Sequence, residues 1–214
     1  MHFLSQDLED YIEKNSAAEP TLLAQLNKET YQKILLPRMC SGHVQGRVLS
    51  LLSKLINPKN ILEIGTFTGY AALCLCEGLQ KNGHLHTIDI KEELVDFQRK
   101  YFDLSGYGSQ IVQHLGQAVD IIATIDTKFD LVFIDADKEN YINYFNLVLP
   151  KMNVGGIILS DNVLWSGKVV EPLQQNDLST KILLEYNQLL ANHSKLETVL
   201  LPIRDGLTVS RVVG

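Results

Sequence analysis

From Asn60 onward, short apolar runs alternate with longer amphipathic stretches. Strand-length apolar runs occupy residues 61–64, 84–88, 111–115, 131–134 and 156–160. Helix-like segments fall between them at 70–79, 92–103 (Leu94, Phe97 and Tyr101 on one face), 118–124 and 140–149. Short apolar runs interleaved with 3.6-period segments predict an α/β fold with a doubly wound, mostly parallel sheet. The tail breaks this rhythm. After a helical pattern at 178–192, the apolar runs 196–201 and 207–213 are joined only by residues 202–206. A parallel crossover takes roughly a dozen residues, so these two runs are expected to be antiparallel neighbours.

The chain before Asn60 reads as helix. Pro20 opens a stretch with Leu22, Leu23, Leu26, Tyr31 and Ile34 at three- and four-residue spacing, broken at Pro37. A second pattern, 44–56, places Val48, Leu51, Leu52 and Leu55 on one face and stops at Asn57-Pro58. The expected organisation is one domain over 1–214, with N-terminal helices at 1–58 covering a Rossmann-like core at 59–214. No repeat or low-complexity segment interrupts it.

Composition narrows the class. The 19 Lys and Arg against 25 Asp and Glu leave a formal charge of −6, which disfavours a general polyanion binder. The acidic start, Met1 to Asp10, lacks the basic and apolar regions of a signal peptide, and no apolar run approaches the roughly 20 residues that span a bilayer. A cytoplasmic protein without membrane association is expected. Cys40, Cys74 and Cys76 are an odd number without metal-ligand spacing, and are expected to be buried free thiols.

Ligands of open α/β sheets bind beyond the carboxyl ends of the strands. The first strand runs into Gly65-Thr66-Phe67-Thr68-Gly69, a turn that lets a ligand approach the backbone but lacks the middle glycine of the dinucleotide fingerprint. Asp89 follows at the tip of the second strand, where an acid can accept hydrogen bonds from both ribose hydroxyls or cap the following helix. A nucleoside without pyrophosphate fits this pair of features. Asp135, after the fourth strand, and Asp161 with Asn162, after the fifth, would converge at adjacent tips. Two carboxylates and one amide oxygen form a hard donor set suited to Mg²⁺, with coordination positions left open.

The blocks Leu62-Glu63-Ile64-Gly65-Thr66-Phe67-Thr68-Gly69-Tyr70, Ile134-Asp135-Ala136-Asp137-Lys138-Glu139-Asn140-Tyr141, Ser160-Asp161-Asn162-Val163-Leu164-Trp165-Ser166-Gly167 and Leu201-Pro202-Ile203-Arg204-Asp205-Gly206-Leu207-Thr208 resemble the cation-dependent S-adenosylmethionine O-methyltransferases, among them the caffeoyl-CoA and catechol enzymes and their bacterial relatives. The resemblance implies seven strands, the last antiparallel. It implies Ser41, Glu63, Gly65, Thr66, Ala71, Asp89, Ala118, Asp135 and Asp137 at the S-adenosylmethionine site and Asp135, Asp161 and Asn162 as ligands of a divalent cation, Mg²⁺ foremost. Lys138 matches the family's proposed general base. Met39, Lys138, Trp165 and Asp205 are the candidate acceptor contacts, with Asp205 equally readable as a turn residue before Gly206. The expected reaction is methylation of a catechol-like small molecule by a homodimer, with hydroxyuridine in transfer RNA as the alternative acceptor. His43-Val44-Gln45-Gly46-Arg47 departs from the acidic residues of the plant members, and His43 is read as packing. Lys28, Lys33, Arg38, Arg47 and Lys54 would suit a phosphate-bearing acceptor if they cluster.

Overall fold

Central strands of a parallel sheet are covered on both faces and read as nearly continuous apolar runs. The computed structural model describes residues 4–214; Met1, His2 and Phe3, the start of the N-terminal stretch considered above, lie outside the described residues. Seven strands, β1 (Asn60–Ile64), β2 (His84–Asp89), β3 (Ile111–Leu115), β4 (Phe129–Ile134), β5 (Met152–Asp161), β6 (Leu196–Leu201) and β7 (Leu207–Val212), form one sheet in the order β3-β2-β1-β4-β5-β7-β6. β1 to β5 are parallel, and β7 runs antiparallel to both β5 and β6. The tail is therefore the hairpin that its short link requires.

Alternation sorts the strand residues into two layers. Ile61, Leu85, Leu131, Phe133 and Leu159 pack beneath helices α2 (Thr21–Lys33), α3 (Gly42–Ile56), α4 (Tyr70–Cys76) and α5 (Val95–Leu104). Leu62, Ile64, Ile88, Val132, Ile134 and Ile158 face α6 (Ala118–Thr124), α7 (Tyr141–Val148) and α8 (Leu178–Asn192). All three cysteines are free and buried, as expected. Among the described residues no helix is long and apolar enough to cross a membrane.

A separate surface helix, α1 (Gln6–Lys14), precedes α2 and buries none of its residues. His43 pins it: Nδ1 meets Glu13 Oε1 at 2.9 Å and Nε2 meets the Ala17 carbonyl at 2.7 Å, a packing role. Helix α3 splits its apolar pattern: Val48 and Leu52 pack against the core, and the other two positions face out. Leu51 and Leu55 are 59% and 74% exposed, while Gln45, Gly46, Leu49, Ser50 and Ser53 are buried. Close packing on α4 selects that face, because a Cβ at Gly46 would stand 2.6 Å from Tyr70 Cε1 and 2.9 Å from Cys74 Sγ. The buried hydroxyls find partners across the same contact, Ser53 donating to the Leu75 carbonyl and Ser50 to Glu77.

Candidate active site

The strand order reverses between β1 and β4, and the crevice outside that switch point is where doubly wound sheets bind ligands. Met39, Ser41, Gly65, Thr66, Ala71 and Asp135 line a shallow cleft there. Gly65 is the point of closest approach. Its φ is +100°, and a Cβ would lie 1.9 Å from the Asp135 carbonyl oxygen. The tips of β1 and β4 can meet only if residue 65 has no side chain.

Beneath the cleft the polar residues form a chain. Thr66 Oγ1 and Thr87 Oγ1 lie 2.5 Å apart, and Thr87 donates to Glu63 Oε2 at 2.5 Å. Glu63 is fully buried, and its other oxygen, Oε1, accepts no hydrogen bond. Burial raises the Glu63 carboxyl to about 8, with the Thr87 hydrogen bond opposing and the charges of Asp135 and Asp89 adding to the rise. An acceptor left unpaired in the interior costs roughly 1–3 kcal/mol, and a cofactor that brings a donor recovers it. The residues therefore fit S-adenosylmethionine, whose ammonium and hydroxyl groups are donors.

This carboxyl also sets a pH dependence. Its value in the fold lies above the unfolded 4.5, so between pH 4.5 and about 8 the unfolded chain has released a proton that the fold retains. Stability is then lost as pH rises through that window, by up to about 1.4 kcal/mol per pH unit. Glu63→Gln removes the loss. In cofactor-free protein the melting temperature of the variant relative to wild type is expected to climb from pH 5 to pH 8. Parallel melting curves over that range would refute the assignment.

Asp89 ties two backbone segments together at the tip of β2. Oδ2 accepts the Phe67 N–H at 2.7 Å and Oδ1 accepts the Lys91 N–H at 3.0 Å, so it fastens the β1–α4 turn to the tip of β2. Each oxygen keeps a further lone pair for a ribose hydroxyl. Ala118 sits at the start of α6, buried and outside the lining of the cleft. Asp137 is exposed, and its two oxygens accept from Tyr144 and Asn140, each at 2.5 Å. Its carboxylate is engaged locally rather than with Asp135.

Asp135 and Asp161 stand at the ends of neighbouring strands paired through Ile134 and Ser160. Lys138 reaches back between them: Nζ donates to Tyr141 Oη at 2.6 Å, to the Ala136 carbonyl at 3.0 Å and to Asp135 Oδ1 at 3.4 Å. Tyr141 in turn donates to the Asp161 carbonyl at 2.9 Å. Asp161 is 1% exposed, and burial, then repulsion from Asp135, push its carboxyl above the usual carboxylate range. Asn162 follows with φ of +57°, a conformation that Asn tolerates better than most residues. Among the described residues no three His, Cys, Asp or Glu form a group that could hold a metal ion.

Trp165 and Asp205 meet indirectly. The Trp165 ring stands 5.8 Å from Lys138 Nζ, and its indole N–H is buried without a partner. Asp205 Oδ1 accepts the Ser166 N–H at 2.5 Å and its carbonyl accepts the Leu164 N–H at 2.9 Å. The turn residue thus fixes the segment carrying the indole. Gln45, Tyr141 and Arg204 belong to the same constellation without having been singled out. The available signal was Gln45 beside Gly46, a polar residue on the small-residue face of α3.

A seven-stranded sheet with an antiparallel β7 and a cleft at its switch point is the framework of the class I methyltransferases. The chain belongs to the O-methyltransferase family, whose model matches residues 13–213. It is 33% identical to caffeoyl-CoA O-methyltransferase 1 of Arabidopsis thaliana, over 98% of this chain and 86% of that protein. The O-methyltransferase TomG of Streptomyces achromogenes, in complex with S-adenosylmethionine, superposes with a TM-score of 0.90 at 28% identity, covering 97% of this chain and 96% of that one. An O-methyltransferase of Bacillus cereus in complex with S-adenosylhomocysteine gives 0.89 at 26% identity, covering 96% and 97%. The protein is an S-adenosylmethionine-dependent O-methyltransferase.

Proposed function

We propose that the enzyme is Mg²⁺-dependent and methylates a small catechol-like molecule with two vicinal hydroxyls. The observation that carries this reading is the pair of carboxylates at adjacent strand tips, Asp135 and Asp161, with the Asn162 amide beside them. Like charges held together away from water repel, and an all-oxygen donor set of this kind suits a hard cation. A cation held by these three residues would supply Lewis acidity toward the acceptor hydroxyls.

The remaining steps fall to the chain itself. Lys138 Nζ, with three acceptors around it and the Trp165 ring 5.8 Å away, is placed to hold the acceptor oxygen and to exchange its proton. The buried indole N–H of Trp165 offers the acceptor a hydrogen bond. Ser41 and Met39, which line the cleft with Asp135, limit water around a reaction in which opposite charges merge. Holding donor methyl and acceptor oxygen at contact distance supplies much of the rate gain.

Relatives named for caffeoyl-CoA support a small-molecule acceptor. So do the N-terminal cations: Lys33 pairs with Glu29, and Arg47 and Lys54 both pair with Glu77, which leaves little of a phosphate-binding cluster. The exposed Leu35, Leu36, Leu51 and Leu55 support association into a homodimer. Methyl transfer should be measured with a catechol, a monophenol and transfer RNA, before and after EDTA and with Mg²⁺ restored. The expected result is catechol methylation that EDTA abolishes and Mg²⁺ restores. A full rate in EDTA, or transfer RNA as the preferred acceptor, would overturn the reading.

A further inference from the structure

Gln45 is 1% exposed, yet its amide is fully committed to two residues far along the chain. Its Nε2 donates to Asp161 Oδ2 at 2.7 Å, and its Oε1 accepts from Arg204 Nη1 at 2.7 Å. The same Arg204 nitrogen donates to the Ser41 carbonyl at 2.6 Å. The direction of this relay is forced. A guanidinium has only donors, so the amide must turn its oxygen to Arg204, and this leaves its N–H to face Asp161. Arg204 thereby decides that Gln45 presents its N–H, and not its carbonyl, to Asp161.

The consequence falls on the Asp161 carboxylate. Oδ2 is held by Gln45 and Oδ1 by the Asn162 N–H at 2.8 Å, so both oxygens are fixed from within the protein and the plane of the group is set. One lone pair on each oxygen remains for a ligand. A neutral amide achieves this without adding negative charge beside Asp135. The supports of the relay are themselves rigid: Gly46 lets α3 lie directly against Tyr70 and Cys74, and the β6–β7 turn that carries Arg204 is closed by Gly206 N–H to the Ile203 carbonyl at 2.9 Å.

We propose that Gln45 is a positioning residue for the cation ligand Asp161, and that Arg204, from the β6–β7 turn, sets the end of the amide that Gln45 presents. The proposal rests on the divalent-cation reading given above. Ligand-orienting partners of this kind are typically worth 10- to 100-fold in metal affinity.

Binding of Mn²⁺ to the full-length, cofactor-free protein tests it without turnover, through the electron paramagnetic resonance signal of the free ion. Calorimetric titration with S-adenosylhomocysteine runs in parallel. Wild type is expected to bind Mn²⁺. Gln45→Met, close in shape and lacking the amide, is expected to weaken Mn²⁺ by about 10- to 100-fold while S-adenosylhomocysteine affinity stays within about threefold. Arg204→Met should lose Mn²⁺ affinity in the same direction, and Arg204→Lys, which restores a donor to Gln45 Oε1, should recover most of it. The double variant Gln45→Met/Arg204→Met should be no weaker than Gln45→Met, because the two residues act along one path. Arg204 is exposed, so its variants carry the test if Gln45→Met fails to fold. Wild-type Mn²⁺ affinity in either methionine variant, or additive losses in the double variant, overturns the positioning role alone. Absence of Mn²⁺ binding by wild type overturns the cation reading and this proposal with it.

Discussion

Asp135→Ala is expected to lower methyl transfer by about a thousandfold, on the order of 4 kcal/mol of transition-state stabilisation, while leaving S-adenosylhomocysteine affinity within a few-fold of wild type. The separation of the two effects follows from the geometry. The contacts that Asp135 makes to the sheet are through its backbone: its N–H donates to the Ile64 carbonyl at 2.9 Å, and its own carbonyl is the atom against which Gly65 closes. Truncating the side chain leaves both intact. What is lost is one of two carboxylates, together with the longest of the three Lys138 contacts, at 3.4 Å. Single-turnover rates and calorimetric titration measure the two quantities separately. A variant that keeps a tenth or more of the wild-type rate would remove Asp135 from the chemistry.

Gly65→Ala is expected to have the largest effect on the fold of any single methyl group near the site. The added Cβ would sit 1.9 Å from the Asp135 carbonyl oxygen and 2.7 Å from its carbon, both backbone atoms that move only with β4 itself. A φ of +100° adds strain for any residue with a side chain. The combined cost is about 3 kcal/mol or more, a fall in melting temperature of roughly 6–12 °C for a chain of this size, with cofactor binding lost as the strand tips part. Gly42→Ala is the matched control. It shares a positive φ, +73°, but nothing lies within 4 Å of the new atom, so only the backbone strain remains. Calorimetry that finds Gly65→Ala within 2 °C of wild type would show that the two strands yield more easily than the geometry allows.

The two kinds of sequence signal differ in what they could reach. Periodicity and punctuation are local, and they located β3, α6, α8 and β6 with their observed limits and the antiparallel tail from the length of its link. They failed where the deciding contact is not local. In α3 the stripe has the right period, but only Val48 and Leu52 of it pack inward while Leu51 and Leu55 lie outward, because the contact with α4 is made through Gly46 and the serines of the neighbouring face. The strand-tip acids and the glycine turn were legible because open sheets bind ligands at a known edge. Gln45, Tyr141 and Arg204 were not, since their roles come from hydrogen bonds that close only after distant segments meet: Gln45 and Arg204 are 159 positions apart. Asp205 shows the intermediate case. Its residue type marked a turn, which it occupies, but the Ser166 N–H that its side chain holds across the fold was not legible.

The order β5-β7-β6 has a consequence for how an active molecule comes into being. Of the seven strands, β7 is the last to leave the ribosome, yet its place is between two strands already made. Until it arrives, β5 keeps an open edge and β6 has no neighbour in the sheet. The turn that delivers β7 also carries Arg204 and Asp205, the residues that reach Ser41, Gln45 and Ser166. Closing the sheet and assembling the catalytic pocket are therefore one event. A nascent chain that has made its first six strands holds the Gly65 turn and both strand-tip carboxylates, but lacks the braces that align them. Activity during synthesis should appear in a single step, when this hairpin docks.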